Sequence, residues 1–168
     1  ETEMLGIDVI IPDFTYLEEN RDRIVGIFLS HGHADAVGAL PYLLEKVNAP
    51  VFGTELTIEL AKISARDQGL KDQIKNFYTI DEDKEIEFDD ATVSFFKTTH
   101  SIPDSIGIVV ETPAGSIVYT GDFRFDPTVD EDYATNFSRL TQIGDKGVIA
   151  LLTDSMGAAS LDENVSQT

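Results

Sequence analysis

The chain has 168 residues, of which 42% are hydrophobic, which suffices for a single globular domain spanning residues 1–168. It contains no cysteine, so disulfides and thiolate metal sites are excluded and any metal ion must be held by histidine and carboxylate. Its formal charge of −19 predicts that this domain alone binds a polyanion such as RNA poorly.

The first predicted elements lead up to a pair of histidines. Residues 24–30 form a continuous apolar, β-rich run and predict a strand buried on both faces, which ends at His31. Apolar residues at helical spacing then predict a helix that begins at residues 35–38 and ends before Asn48. Pro41 is tolerable in this helix only within its first turn.

The next segment continues the α/β pattern. Residues 50–53 predict a short strand and turn. Thr54 is a plausible N-cap for a helix over residues 55–67, and Gly69 closes that helix. The first half of the chain therefore reads as β-α-β-α.

The second half changes to short strands separated by turn-rich sequence, with a hairpin turn at residues 113–115. An α/β section followed by a β meander predicts two packed sheets with helices outside, an αββα sandwich, although the pattern alone also permits other α/β folds. The predicted strands are residues 85–88, 92–97, 106–111, 116–119 and 148–152.

The three histidines all follow predicted strands. His31 and His33 lie two residues apart, with Asp35 two residues further on, and such spacing lets two imidazoles face one metal ion. His100 and Asp122 follow later strands; either one alone is better explained as a hydrogen-bonded or turn residue. For the pair with Asp35, metal binding or a vestige of it is favoured.

Four stretches together resemble a known family. They are residues 4–17, residues 27–44 (IFLSHGHADAVGALPYLL), residues 98–105 (TTHSIPDS) and residues 118–127 (VYTGDFRFDP). These stretches resemble the metallo-β-lactamase superfamily and, within it, the β-CASP ribonucleases of the J type. The resemblance covers nearly the whole chain and implies a metallo-β-lactamase fold that is incomplete here, without the family's N-terminal strands, inserted β-CASP domain and closing segment.

Active members of that family read His-x-His-x-Asp-His and bind two zinc ions. The resemblance implies that Asp35, besides binding the second ion, is the catalytic residue that orients or deprotonates the attacking water. Ala36 stands where the second zinc site has a histidine. The metal-binding residues implied by the resemblance are His31, His33, Asp35, His100 and Asp122.

The alanine changes what the resemblance implies about activity. A methyl group cannot coordinate a cation, so we expect at most one tightly bound zinc ion, or none, and weak or absent hydrolysis of RNA phosphodiesters. In this respect the chain resembles the second, weakly active J paralogue of Gram-positive bacteria, which implies a complex with an active paralogue in RNA processing and decay.

Two other functions remain open. In one, the chain is a non-catalytic structural or regulatory subunit that binds an active ribonuclease J paralogue. In the other, which the J-type flanking segments disfavour, it hydrolyses a small ester or lactam. We also expect a possible homodimer through exposed sheet edges, no membrane partner because no apolar run is long enough, and a cytoplasmic location.

Overall fold

The structure is a computed structural model that describes residues 6–7, 9–69, 76–130 and 133–159. Helices and strands alternate in the first half of the described chain, and strands dominate the second half. The helices are α1 (Thr15–Glu19), a 3-10 helix (Arg21–Arg23), α2 (Ala34–Val37), α3 (Leu40–Leu44), α4 (Glu55–Asp67) and α5 (Phe137–Lys146). The strands are β1 (Ile27–Phe28), β2 (Val51–Gly53), β3 (Phe77–Thr79), β4 (Ile86–Glu87), β5 (Thr92–Lys97), β6 (Ile106–Thr112), β7 (Gly115–Tyr119) and β8 (Val148–Leu152).

The strands form two sheets. A three-stranded parallel sheet has the order β1-β2-β3, with Phe28 opposite Phe52 and Val51 opposite Phe77. A five-stranded sheet has the order β4-β5-β6-β7-β8, in which only the β7–β8 pair is parallel. The segments that follow β1 of the smaller sheet, and β5 and β7 of the larger sheet, carry the residues of the candidate site.

Apolar clusters show how the layers stack. Phe95 packs with Phe52 between the two sheets, whereas its neighbour Phe96 packs with Ile143 of α5 on the other face of the larger sheet. This alternation follows from the pleat of β5, which points successive side chains to opposite faces. A further cluster joins β2 to α3 and α4. The predicted αββα layering is therefore confirmed.

The predicted strand over residues 24–30 is wrong in extent and burial. Only Ile27 and Phe28 form strand β1, both half-buried, and Val25 is 59% exposed. The reason is that β1 pairs with β2 alone among the described residues, so its other edge and part of its surface face solvent. The segment becomes buried only at Leu29 and Ser30, next to the first histidine.

The predicted single helix before Asn48 is two short helices, α2 and α3, with Gly38 and Ala39 between them. Pro41 lies in the first turn of α3, as its chemistry requires. Because proline has no N–H, it cannot donate to the carbonyl of Val37, and a continuous helix through this point would lack that bond.

Most other boundaries agree with the prediction. Strands β2, β5 and β8 and helix α4 are confirmed, and Gly69 follows α4 in a left-handed conformation with φ of 81°. Thr54 precedes α4 as the N-cap residue, but its hydroxyl donates to the carbonyl of Asp104 at 2.8 Å and does not cap the helix. Four elements of the described residues were not predicted: α1, the 3-10 helix, β3 and α5.

Candidate metal centre

The first two histidines lie where β1 leads into α2. His31 is 2% exposed, and His33 is the residue before α2, with an extended backbone (φ −69°, ψ 157°). Asp35 then falls in the first turn of α2, which brings its carboxylate back towards His31. The local sequence thus places three polar side chains at the end of one strand.

His100 is held by the segment that follows β5. The preceding residue, Thr99, is 2% exposed; its hydroxyl donates to the carbonyl of Tyr133 at 2.9 Å, and its N–H donates to Thr135 Oγ1 at 3.1 Å. The carbonyl of Thr99 accepts the N–H of Arg124 at 2.9 Å, which ties this segment to the loop after β7. That loop carries Asp122.

The three imidazoles face one another. Their ring centroids are 5.0 Å apart for His31 and His33, 4.8 Å for His31 and His100, and 4.9 Å for His33 and His100. His100 Nε2 lies 3.1 Å from His33 Nδ1, although these residues are 67 positions apart in sequence. One nitrogen from each ring lies within 4.8 Å of the other two, a spacing that admits a cation between them.

Two carboxylates adjoin the histidines. Asp122 Oδ2 lies 3.8 Å from His31 Nε2 and 3.9 Å from His100 Nε2, and Asp35 Oδ2 lies 3.9 Å from His31 Nε2. The Asp35 side chain is 67% exposed, whereas that of Asp122 is 24% exposed. The structure therefore brings together all five residues that the sequence singled out; their metal-binding roles stay a prediction.

One atom tests whether these residues fit a cation. His31 Nε2 is buried and has no hydrogen-bond partner, and the carboxylate oxygens near it are beyond hydrogen-bond distance. A buried imidazole nitrogen without a partner is costly in a folded protein. A cation at this point would satisfy it and would be neutralised by the two carboxylates, so the donor set fits a metal ion.

The surroundings of His31 and His100 favour the neutral form of these two imidazoles. Burial lowers the pKa of His31 and of His100 below the ordinary value of 6.5, against the opposing attraction of Asp122 and Asp35. For His100, the neighbouring imidazoles lower its pKa further. Neutral imidazoles keep a lone pair available at neutral pH, which metal coordination requires.

Ala36, in the first turn of α2, has a side chain that cannot coordinate a metal ion. Its methyl group is half-buried and packs against the apolar cluster that contains Leu29 and Val37. The carboxylate side of the centre therefore offers Asp35, Asp122 and the shared His31, with no imidazole of its own.

A cleft of about 390 Å³ opens beside His100, and its charged lining is mostly acidic, with Asp81, Glu82 and Asp104 among the carboxylates. Lys97 also lines the cleft, but its ammonium lies 3.9 Å from Glu82 and is offset by it. An acidic wall repels a polyanion, as the overall charge predicts.

The sequence interpretation missed two residues at this site. Ser30, directly before His31, places its hydroxyl 3.0 Å from His31 Nδ1. Gly121, directly before Asp122, has a φ of 61° and lies against Ser30. A serine or glycine beside a predicted ligand is a weak signal without the structure, since both residue types are common in turns.

The layering and the histidine–carboxylate cluster define the class of protein. The sequence profile of the metallo-β-lactamase superfamily matches residues 5–156, and the chain belongs to this superfamily. Metal binding is a property of that superfamily which the clustered histidines fit.

The resemblance to the J-type ribonucleases is also confirmed. The chain is 56% identical over 168 residues to a protein named ribonuclease J 2 from Streptococcus pyogenes, and 49% identical over 158 residues to its namesake from Staphylococcus epidermidis. A protein of the same name from Staphylococcus aureus is 46% identical over 158 residues. The matches cover 94–100% of this chain, which spans only 28–30% of the length of these relatives.

Solved structures support the fold. A zinc-bound PqqB from Methylobacterium extorquens superposes with a TM-score of 0.53 at 19% identity, over 78% of this chain and 46% of that one. A protein of unknown function from Enterococcus faecalis superposes with a TM-score of 0.60 at 18% identity, over 84% of this chain and 34% of that one. Within the described part of the chain, no helix is long and apolar enough to cross a membrane.

Proposed function

We propose that the chain forms the metal-binding part of a ribonuclease J-type RNA hydrolase, with one zinc ion held by His31, His33 and His100. The observation that carries the metal site is the buried, unpartnered Nε2 of His31 amid the other imidazoles and two carboxylates. The choice of zinc follows the preference of that ion for imidazole donors in tetrahedral sites. RNA as substrate is supported by the whole-chain similarity to proteins named ribonuclease J 2.

The metal ion and the two aspartates of the site would have different roles in hydrolysis. A bound divalent cation supplies charge to a phosphodiester and lowers the pKa of a coordinated water towards about 7. Asp35 is exposed at the mouth of the site, so its carboxylate can accept a hydrogen bond and then a proton from an attacking water. Asp122 is less exposed and lies 3.8 Å from His31 and 3.9 Å from His100, so its negative charge would help to neutralise a cation held by these imidazoles.

We propose further that the second cation is bound weakly or not at all, and that hydrolysis is slow. Losing one imidazole weakens the ion held on the carboxylate side, and a two-metal clamp needs both ions to stabilise the entering and leaving oxygens. The packing of Ala36 against the apolar cluster supports this proposal.

The same alanine favours a second candidate, a non-catalytic subunit that binds an active paralogue in the cytoplasm. In that case the domain serves to bind its partner, and the histidines and aspartates that remain do not support RNA hydrolysis. The edge strand β8 is a candidate place for pairing between chains, because Ile149 and Leu151 are 59% and 62% exposed.

The experiment restores the missing ligand. Ala36→His and wild-type protein are compared for zinc per chain by elemental analysis and for hydrolysis of end-labelled single-stranded RNA. A weakly active enzyme is expected to gain zinc and rate, whereas a purely structural subunit gains neither. Two zinc ions already bound to the wild type would contradict the proposal of a degenerate second site.

Pairing is measured separately. The chain alone, and the chain mixed with a ribonuclease J paralogue, are analysed by light scattering, with Leu151→Lys as the variant that places a charge on β8. A homodimer, a hetero-complex and a monomer give different masses. If the chain is a subunit that binds a paralogue, we expect the mass of the hetero-complex.

A further inference from the structure

The side chain directly before the metal-binding pair is itself part of the centre's geometry. Ser30 is 5% exposed and His31 is 2% exposed, and Ser30 Oγ lies 3.0 Å from His31 Nδ1. No carbonyl or carboxylate takes that place: among the described residues, the serine hydroxyl is the hydrogen-bond partner recorded for this ring nitrogen.

The two nitrogens of His31 have different surroundings. Nε2 faces the carboxylates of Asp35 and Asp122 and has no hydrogen-bond partner, so it is the nitrogen that would bind a cation. A neutral imidazole carries one proton, and when Nε2 gives its lone pair to a metal that proton must be on Nδ1. In a buried position, an Nδ1–H without an acceptor is destabilising.

Ser30 is fixed in a position to accept this proton. Its carbonyl accepts the N–H of Ile106 at 2.9 Å, which attaches it to the start of β6. A Cβ at Gly121 would lie 2.9 Å from Ser30 Cβ and 3.2 Å from its Oγ, so the hydroxyl occupies space left by this glycine. Ser30 thus lies between the strand end that carries His31 and the loop that carries Asp122.

The geometry points to Ser30 as a positioning residue of the metal centre: its hydroxyl oxygen accepts Nδ1–H of His31 and so keeps Nε2 free as the metal-binding nitrogen. This inference rests on the metal site in the proposed function. Hydrogen bonds of this kind to a ligand imidazole fix its tautomer and ring orientation, and removing one typically costs roughly 10–100-fold in metal affinity.

The first test measures zinc affinity of the full chain by calorimetry. Ser30→Ala is expected to weaken binding roughly 10–100-fold, and Ser30→Thr, which keeps the hydroxyl, is expected to recover most of that loss. The matched control is Ser94→Ala, because Ser94 is a buried serine on β5 whose hydroxyl has no hydrogen-bond partner. Wild-type affinity in a folded Ser30→Ala variant would overturn the inference.

The second test reads the tautomer directly and needs no activity. Nitrogen-15 spectra of the imidazoles in metal-free wild type are expected to show the His31 proton on Nδ1, with a shift towards Nε2–H in Ser30→Ala. A wild-type ring protonated on Nε2 would overturn the inference even if Ser30→Ala does not fold.

The two proposals fail in different ways. Wild-type protein that binds no zinc contradicts the metal site, while the metal-free tautomer still shows whether Ser30 accepts the Nδ1–H of His31. Wild-type protein that binds zinc as tightly as a folded Ser30→Ala variant contradicts only the role of Ser30.

Discussion

The two sides of the candidate metal centre are built differently. On one side, His31, His33 and His100 form a triangle of rings, and two of the three have burial-lowered pKa values. On the other side, Asp35 is largely exposed, and the two carboxylates share only His31, because residue 36 is an alanine that packs against the apolar cluster. The difference teaches that one chain can bring three imidazoles together while residue 36 adds none to the adjoining carboxylates.

The largest expected effect is the loss of zinc affinity when one histidine of the candidate metal centre is removed. His33→Ala removes one of three converging nitrogens and should reduce zinc affinity by more than the roughly 10–100-fold that loss of a hydrogen bond to a ligand costs. Calorimetric titration measures it. Tyr16→Ala, which changes an exposed side chain on α1, serves as control. Unchanged zinc affinity in His33→Ala would show that the histidine triangle is not the metal site.

The next largest effect is expected when a histidine is added beside the two carboxylates. Ala36→His should raise the zinc content from one ion to two per chain, since an imidazole joins Asp35 and Asp122. Elemental analysis after dialysis reads the change, and Ala36→Leu controls for added volume at this half-buried position. If the content stays at one, the backbone of α2 does not aim residue 36 at the site, and the two sides differ by more than one ligand.

A smaller effect separates binding from proton transfer. Asp35→Asn keeps the shape of an exposed side chain but removes its charge, so zinc affinity should change less than in His33→Ala. Any hydrolysis of RNA should be lost, because an amide cannot accept the proton. Titration and a cleavage assay on the same sample measure both. Retained cleavage would remove Asp35 from the catalytic role.

The smallest effect concerns pH and the metal-free chain. The pKa of His31 is lowered in the folded state, so below the ordinary value of 6.5 the unfolded chain takes up a proton that the folded chain resists. The free energy of unfolding should therefore fall as the pH drops below that value, until the folded-state pKa is passed. Urea unfolding measures it, and excess zinc should oppose the loss just below that pH. A stability that rises over this range would contradict the burial argument.

Some parts of the fold could be predicted because their signals are local. Strand β5 alternates its side chains between two packed faces, and its predicted bounds agree with the structure. Helix α5 was missed because its buried contacts come mainly from Leu140 and Ile143, which pack on the outer face of the larger sheet. Strand β3 was missed because it has only three residues, too few for an alternating pattern to show.

The sequence by itself determined which side chains are available: His31 and His33 at metal-binding spacing, and Ala36 where an imidazole is needed. Residue spacing did not determine that His100, 67 residues from His33, joins them, which the family resemblance alone implied, or that His31 Nε2 is buried without a partner. Those features come from the pairing of β5 with β6 and the bridge between Thr99 and Arg124, which position loops distant in sequence. Residue type and spacing are local properties of the chain, whereas convergence and burial arise only when two sheets pack and exclude water.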